Sequence, residues 1–214
     1  MAIITLLTDF GGRDYYTSAV KAAILAVNPG ISIIDISHFI EAGNIAHAGF
    51  ILRSVYKDFP KGSIHLFSIN DSGAKDDKFI AVKMDNMYFV GVDNGLLGLV
   101  LEGANYLVVD INIKNIRTTF AARDILAPAA AKLASGVDIS NLGAPLETFK
   151  KMLNRHLRAS KTQIIGNVIH IDHYGNLITN IDKGTFDHLT REKNIYISFG
   201  RENSRVIHEN YYSV

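Results

Sequence analysis

The chain has 214 residues, no cysteine and a formal net charge of +1, from 22 basic and 21 acidic side chains. This near balance argues against a nucleic-acid or membrane-surface protein, and the lack of cysteine excludes disulfides and thiolate metal sites. No apolar run approaches the ~20 residues of a membrane span, and residues 1–7 lack the basic leader of a signal peptide. We therefore expect a soluble cytoplasmic protein.

The first two thirds of the sequence alternate between strand and helix patterns. Buried strands are predicted at Ile3–Leu7, Ile31–Ile36, Ser63–Ile69 and Tyr106–Ile111, and a hairpin at Phe79–Met84 and Met87–Val92 around Asp85-Asn86. Helices are predicted at Tyr16–Val27, Asn44–Phe59, Leu96–Gly103 and Asp124–Ser135. Strands that alternate with helices are typical of an α/β fold with a mostly parallel sheet and flanking helices.

The pattern changes after about Gly136. Residues 141–162 are polar and loop-like, and short strands are then predicted at Ile164–Asp172, Leu177–Ile181, Asn194–Phe199 and Arg205–His208. We expect an N-terminal α/β domain over residues 1–150 and a small C-terminal β domain over residues 163–214. Four short strands leave open edges, so this second domain is short for a closed β fold.

Carboxylates follow three of the predicted strands, at Asp9, Asp71 and Asp93. Ligands of open α/β sheets bind in the crevice beyond the carboxyl ends of the strands, so these three side chains are candidates for one site. Each is also a common turn residue and has a purely local interpretation. As ligand groups, they suit either a divalent cation or the cis-diol of a ribose, because a carboxylate offers about four acceptor positions.

A second candidate segment runs from Ile171 to Asn176. Its Gly175-Asn176 pair is typical of a β-turn, and we favour that interpretation of the segment by itself. His170 and His173 have no third ligand nearby in the sequence, so we predict no metal site there.

Several motifs together carry a family resemblance. They are Thr8-Asp9-Phe10-Gly11, Asp14 to Lys21, Asp35-Ile36-Ser37-His38, Val92-Asp93-Asn94-Gly95-Leu96-Leu97, the segment from Thr119 to Pro128, and Asp172 through Gly175-Asn176 to Thr179-Asn180-Ile181. In this order and spacing, they make the chain resemble the S-adenosyl-L-methionine (SAM) hydroxide adenosyltransferases, a family that includes the SAM-dependent fluorinase and chlorinase.

The resemblance implies an N-terminal α/β domain, a small C-terminal β-barrel and a homotrimer with SAM between neighbouring subunits. It implies SAM as substrate, with no metal and no separate cofactor. Asp9 stands where the family holds the ribose diol, and Asp172 and Asn176 stand where the halogenating relatives hold the methionine part. The substrate-binding residues implied in this way are Asp9, Phe10, Asn94, Ala122, Arg123, Asp172 and Asn176.

The chain departs from the family at the position of the nucleophile. Members that use water resemble one another in an Asp, an Arg and a His around that water. Asp71 matches the Asp, but the segment 75–78 offers only Lys78 for the Arg, and Ala121 stands in place of the His. Lysine is a point charge without the planar fork of arginine. Of the three expected catalytic residues, the resemblance therefore implies only Asp71 and, in place of the Arg, Lys78.

Two further departures concern halides and length. Ala122 stands where the fluorinase has a serine, and Gly43 stands where the halogenases carry a tryptophan, so neither position favours a halide nucleophile. Relatives usually continue for several dozen residues beyond the position of Val214, through a part that completes the barrel and contributes to adenine binding. We therefore expect an altered adenine site and altered trimer formation.

Three functions follow as hypotheses. The first is cleavage of SAM at C5′, by water, to adenosine and L-methionine. The second is a catalytically silent SAM- or adenosine-binding protein, because the residues that activate water are replaced. The third, least favoured, is a metal-dependent nucleosidase.

Overall fold

A seven-stranded mixed sheet forms the centre of the N-terminal part. The computed structural model describes residues 2–71, 77–101, 105–112, 116–152, 157–191, 194–200, 202–204 and 207–208. Contacts within the chain divide it into two units, Met1–Asn154 and Arg155–Val214. No helix among the described residues combines the length and the apolar character that crossing a membrane requires.

The first unit alternates strands and helices, which confirms the predicted α/β class. Its strands are β1 (Ile3–Thr8), β2 (Ser32–Ser37), β3 (Ile64–Ser68), β4 (Phe79–Met84), β5 (Met87–Val92), β6 (Leu107–Ile111) and β7 (Gly143–Leu146). Its helices are α1 (Tyr16–Val27), α2 (Ile45–Val55), α3 (Leu96–Val100) and α4 (Ala127–Ala134), with 3₁₀ turns at Tyr56–Asp58 and Ile139–Asn141.

The order of the strands sets where a ligand binds. The sheet runs β2-β1-β3-β5-β4-β6-β7, with β2, β1, β3 and β5 parallel and the remaining neighbours antiparallel. From β1 the chain goes to β2 on one side and then returns to β3 on the other. The carboxyl ends of β1 and β3 therefore border a topological switch point, the usual place for a ligand in an open α/β sheet.

Two cores cover the two faces of the sheet, because alternate residues of a buried strand point to opposite sides. Leu6 packs with α1 and α4, whereas its neighbour Leu7 packs with α2 and α3. The predicted hairpin is confirmed: Asp85 and Asn86, at φ 47° and 63°, join β4 to β5. Two consecutive positive φ angles are typical of a type I′ turn, whose twist matches that of the strands.

Gly91 lies opposite Phe67 across the β3–β5 pair, and a Cβ at this position would lie 2.2 Å from the Phe67 ring. Phe67 is fully buried, so its ring has no open space to move into. We expect Gly91→Ala to lower the free energy of unfolding by about 1–3 kcal/mol, the usual cost of overpacking. Urea unfolding measures this change.

The same experiment with Phe67→Leu, alone and together with Gly91→Ala, provides the control. The double variant should lose less stability than the sum of the two single losses, because the smaller side chain makes room for the new methyl group. Additive losses would show that the contact between these two residues is not the cause.

Two elements of the first unit differ from the sequence prediction. β7 lies in the stretch predicted to be loop-like, and it pairs with β6 as the edge strand of the sheet. Its Pro145 is tolerated there because an edge strand does not need every N–H in the ladder. The predicted helix Asp124–Ser135 instead begins with a π-helical turn, Ala122–Leu126, and continues as α4 with Pro128 in its first turn.

The second unit consists of short elements. Its strands are β8 (Arg158–Ala159), β9 (Ile164–Ile165), β10 (Val168–Ile171), β11 (Leu177–Thr179), β12 (Ile197–Phe199) and β13 (Glu202–Ser204), paired as three antiparallel hairpins. The predicted strand Ile164–Asp172 is divided into β9 and β10 at Gly166-Asn167. The last strand among the described residues is Glu202–Ser204, and the predicted strand Arg205–His208 lies partly outside the described residues, at 205–206.

Helix α5 (Lys183–Thr190) was missing from the predicted all-β module. Its start carries a local sequence signal, an aspartate at the N-cap position. The Asp182 carboxylate accepts a hydrogen bond from the Thr185 backbone N–H (2.8 Å), which is the geometry of an N-cap.

Candidate functional site

A chain of hydrogen bonds crosses the carboxyl ends of the four parallel strands. In sheet order, the residues that follow these strands are His38 after β2, Asp9 after β1, Asn70 after β3 and Asn94 after β5. Each is bonded to a neighbouring strand end, as described below. The switch point is thus a fixed structure and not a set of independent turns.

Asp9 lies in the middle of this row of strand ends and is half-buried. Its Oδ2 accepts hydrogen bonds from the backbone N–H groups of Gly43 (2.9 Å) and Asn70 (3.0 Å). Its Oδ1 accepts none from the described residues, which leaves that oxygen available to a ligand. Gly43 at φ 74° and Asn70 at φ 51° both occupy the left-handed region, which aims their N–H groups at the carboxylate.

His38 holds both sides of Asp9. Its Nδ1 lies 2.8 Å from the Thr8 hydroxyl, and its backbone oxygen accepts a hydrogen bond from Gly11 N–H (2.7 Å). Its Nε2 lies 3.2 Å from Asp35 Oδ1, close enough for an ion pair but without the direction of a hydrogen bond. Although partial burial opposes the effect, the hydrogen bond from Lys21 (2.6 Å) and the adjacent His38 imidazole hold the pKa of Asp35 below its usual value.

Asn94 joins β3 to the start of α3. Its Nδ2 donates to the Ile69 carbonyl (2.8 Å), and its Oδ1 accepts from Leu96 N–H (3.1 Å). The amide nitrogen thus holds the backbone next to Asn70, and the amide oxygen holds the start of α3. The predicted substrate-binding role of Asn94 stays a prediction, and the geometry gives it a local structural role.

The two residues predicted to be catalytic differ in their surroundings. Asp71 follows β3, is half-buried and accepts a hydrogen bond from the Ser68 hydroxyl at 3.2 Å. Lys78 precedes β4 with an exposed side chain, and its backbone oxygen accepts from Asp93 N–H (2.8 Å). Residues 72–76, which connect the two, lie outside the described residues.

Asp93, the third carboxylate at a strand end, has a structural partner. It is buried, and its Oδ1 accepts a hydrogen bond from Lys150 N–H (2.8 Å). This bond ties the segment around Lys150 to the end of β5. The local turn interpretation therefore suits Asp93, whereas Asp9 keeps an oxygen that no described residue occupies.

Phe10 belongs to a group of aromatic rings. Its ring centroid lies 5.9 Å from that of Tyr16 and 5.7 Å from that of Phe120, both within the usual range of tilted and edge-to-face pairs. Arg123, which follows this group in the sequence, lies over the Phe120 ring at 5.4 Å. Its Nε and Nη2 donate to Asp124 at 2.6 and 2.9 Å, and these hydrogen bonds lower the pKa of Asp124.

Ala121 and Ala122 lie inside the core that α1 and α4 share, at 2% and 0% exposure. Their methyl groups contact protein atoms, and neither has a polar atom beyond the backbone. At Ala121, where the sequence resemblance predicts the loss of a histidine, this chain therefore places an apolar group in a packed interior.

In the second unit, Asp172 and Asn176 bond to each other. Asp172 Oδ2 accepts from Asn176 Nδ2 (2.7 Å), and its Oδ1 accepts from the backbone N–H groups of Tyr174 (2.9 Å) and Asn176 (2.8 Å). The hydrogen bond from the Asn176 side chain is the main cause that lowers the pKa of Asp172. This is the turn that the sequence favours, with the two side chains half-buried and held together.

The described residues contain no group of three or more His, Asp or Glu side chains that is arranged to hold a metal ion. No role in the site was predicted from the sequence for His38 or Asn70. His38 belongs to the Asp35-Ile36-Ser37-His38 motif, but its contacts depend on the β2–β1 pairing. Asn70 contributes through its backbone, and an asparagine after a strand is the only signal that the sequence offers.

Comparisons with known proteins agree across both units. The model of the SAM hydroxide adenosyltransferase N-terminal domain matches residues 4–143, and that of the C-terminal domain matches residues 166–214. The chain is 35% identical over 189 residues to the (R)-S-adenosyl-L-methionine hydrolase of Methanocaldococcus jannaschii, covering 85% of this chain and 67% of that protein.

Similarity extends to a fluorinase and to a solved structure. The Actinoplanes fluorinase is 21% identical over 217 residues, covering 85% of this chain and 72% of the relative. An uncharacterized conserved protein from Thermotoga maritima has a TM-score of 0.84 at 31% identity, covering 95% of this chain and 81% of that one. The chain belongs to the SAM hydroxide adenosyltransferase family.

Proposed function

We propose that this protein cleaves SAM at C5′ with water, giving adenosine and L-methionine. The observation that carries this proposal is the Asp9 carboxylate at the switch point. Two backbone N–H groups hold its Oδ2, and its Oδ1 meets no donor among the described residues. An oriented carboxylate oxygen of this kind suits a pair of ribose hydroxyls. The (R)-S-adenosyl-L-methionine hydrolase of M. jannaschii supports the choice of reaction.

In the proposed reaction, the water oxygen forms a bond to C5′ as the bond from C5′ to sulfur breaks. The electron pair of that bond returns to sulfur, so the sulfonium leaves as the neutral thioether of methionine and needs no general acid. The attacking water loses one proton. Asp71, half-buried after β3, is the residue that we propose orients this water and accepts its proton, and Lys78 is the residue that we propose supplies the positive charge.

A catalytically silent binder of SAM or adenosine is the second candidate. Ala121 favours it, because a methyl group with 2% exposure can neither orient nor deprotonate water. Under this alternative, Asp9 still binds the ribose, and only the chemical step is missing. The two candidates therefore differ in turnover and not in affinity.

Incubation with SAM in H₂¹⁸O tests the proposal. We expect adenosine and methionine in equal amounts, with ¹⁸O in the 5′-hydroxyl, because the oxygen of the product comes from the solvent. Liquid chromatography with mass spectrometry measures both products and the isotope. Asp71→Asn should lose most of the turnover, by about 10²-fold or more, since positioned general bases contribute about 10²–10⁴-fold.

Parallel reactions with chloride or fluoride distinguish the nucleophiles, because a halide would give 5′-halo-adenosine instead. SAM that binds and stays intact would support the silent binder and contradict the proposed reaction. If neither SAM nor adenosine binds, both candidates are wrong.

A further inference from the structure

We propose that His38 is a positioning residue that sets the orientation of the Asp9 carboxylate toward a ribose. The proposal rests on the proposed function, because it assigns to His38 a role in the same ribose site. Its basis is the set of contacts that His38 makes on both sides of Asp9 in the chain.

The first contacts fix the backbone around Asp9. The imidazole Nδ1 meets the hydroxyl of Thr8, the residue before Asp9, at 2.8 Å. The His38 carbonyl accepts from Gly11 N–H, two residues after Asp9, at 2.7 Å. His38, the residue after β2, thus holds both ends of the Thr8–Gly11 turn that carries the Asp9 carboxylate.

The second contacts fix the imidazole itself. Asp35 Oδ1 lies 3.2 Å from Nε2, and Lys21 is bonded to the other oxygen of Asp35 at 2.6 Å. A carboxylate facing Nε2 favours the tautomer with its proton there, so Nδ1 is the acceptor and the Thr8 hydroxyl donates. The lone pairs of Thr8 Oγ1 are then free to face Phe10 N–H, at 3.5 Å.

The position of His38 suits an indirect role. Thr8 is 1% exposed, and the His38 side chain is 11% exposed. Asp9 Oδ2 is held by Gly43 and Asn70, so the direction of Oδ1 depends on how the Thr8–Gly11 backbone turns the side chain. A binding group must be held within about 0.5 Å of its productive position, and the groups behind it provide this precision.

The test compares the affinities for adenosine and 2′-deoxyadenosine by calorimetry, in the wild type, His38→Ala, Thr8→Val and Thr8→Ser. A mispositioned Asp9 loses its preference for the diol, whereas a merely less stable protein keeps it. We expect His38→Ala and Thr8→Val each to reduce the ratio of the two affinities by about 3- to 10-fold, the size of one net hydrogen bond. Thr8→Ser keeps the hydroxyl and should retain the ratio.

The chain offers a matched control on the same strand. Thr5 Oγ1 lies 2.9 Å from His65 Nδ1, in the buried part of β1 and away from Asp9. Thr5→Val therefore removes a second Thr–His hydrogen bond without touching the site. It should lower stability while leaving the ratio of affinities at the wild-type value.

The outcomes separate this inference from the proposed function. Suppose that the wild type prefers adenosine and that Asp9→Asn abolishes this preference. If Thr8→Val and His38→Ala then keep the preference, the positioning role of His38 is wrong, although Asp9 still binds the ribose. If Thr5→Val lowers the ratio as much as Thr8→Val, the effect is one of general stability and the inference is wrong. If wild type shows no preference, the ribose site itself is wrong.

Discussion

Asp9→Asn should weaken adenosine binding by roughly 10- to 100-fold, because a hydrogen bond to a charged group contributes about 1.5–3 kcal/mol. The amide keeps the size of the side chain and one acceptor, which the Gly43 and Asn70 N–H groups can still occupy. The atom facing the ligand then becomes an NH₂ donor. Isothermal calorimetry with adenosine and with SAM measures the change.

Asp93→Asn is the control for this prediction. Asp93 also follows a parallel strand of the sheet, but its Oδ1 is bonded to Lys150 N–H and its side chain is buried. We therefore expect this variant to bind adenosine like the wild type. Unchanged affinity in Asp9→Asn, or an equal loss in both variants, would contradict the assignment of Asp9 to the ribose.

Asp9→Ala extends the comparison. It removes the acceptor for both N–H groups as well as the ligand's acceptor, so the turn and the site are both affected. We expect a larger loss than in Asp9→Asn, together with a loss of stability. The difference between the two variants separates the contribution of the carboxylate to the turn from its contribution to the ligand.

The sequence predicted the strands and the position of Asp9 because both depend on local patterns. Apolar runs mark buried strands, and a carboxylate directly after such a run lies at the carboxyl end of that strand. The partners of Asp9 could not be found in this way. Gly43 and Asn70 are 34 and 61 residues away along the chain, and only the strand order brings their N–H groups to one oxygen.

Other differences arise from the balance between local and tertiary forces. β7 has no β-branched residue and contains a proline, and it becomes a strand because β6 offers it an open edge. Helix α5 has no buried residue and only two large apolar side chains, Phe186 and Leu189, so its sequence shows little of the apolar face that marks most helices, and the N-cap at Asp182 is the stronger signal. Ala121 and Ala122 pack into the core, and the predicted substrate-binding role of Ala122 stays a prediction.

His65 is predicted to make the stability of the fold strongly dependent on pH. It is fully buried, and its Nε2 has no hydrogen-bond partner among the described residues. The rings of Tyr56, Phe59 and Phe89 lie around it, with centroids 6.2, 5.6 and 5.1 Å from that of the imidazole. Burial in this apolar setting lowers the pKa of His65 to about 4, from the ordinary value of 6.5.

The direction of the effect follows from proton binding. Between pH 6.5 and about 4, the unfolded chain binds a proton at this histidine that the folded protein does not bind. Stability from this source is therefore complete above pH 6.5, decreases as the pH falls and is lost by about pH 4. The difference in pKa corresponds to about 3 kcal/mol.

Urea unfolding at several pH values between 7 and 4 measures this loss in the wild type and in Thr5→Val/His65→Phe. The double variant replaces both partners of a buried hydrogen bond with apolar groups, which is close to neutral in many proteins. We expect similar stability at pH 7 and a growing advantage of the variant below pH 6.5. His173→Gln removes an exposed histidine and should follow the wild type. Parallel curves for the wild type and the double variant would contradict a buried neutral His65, because the other titrating groups are common to both proteins.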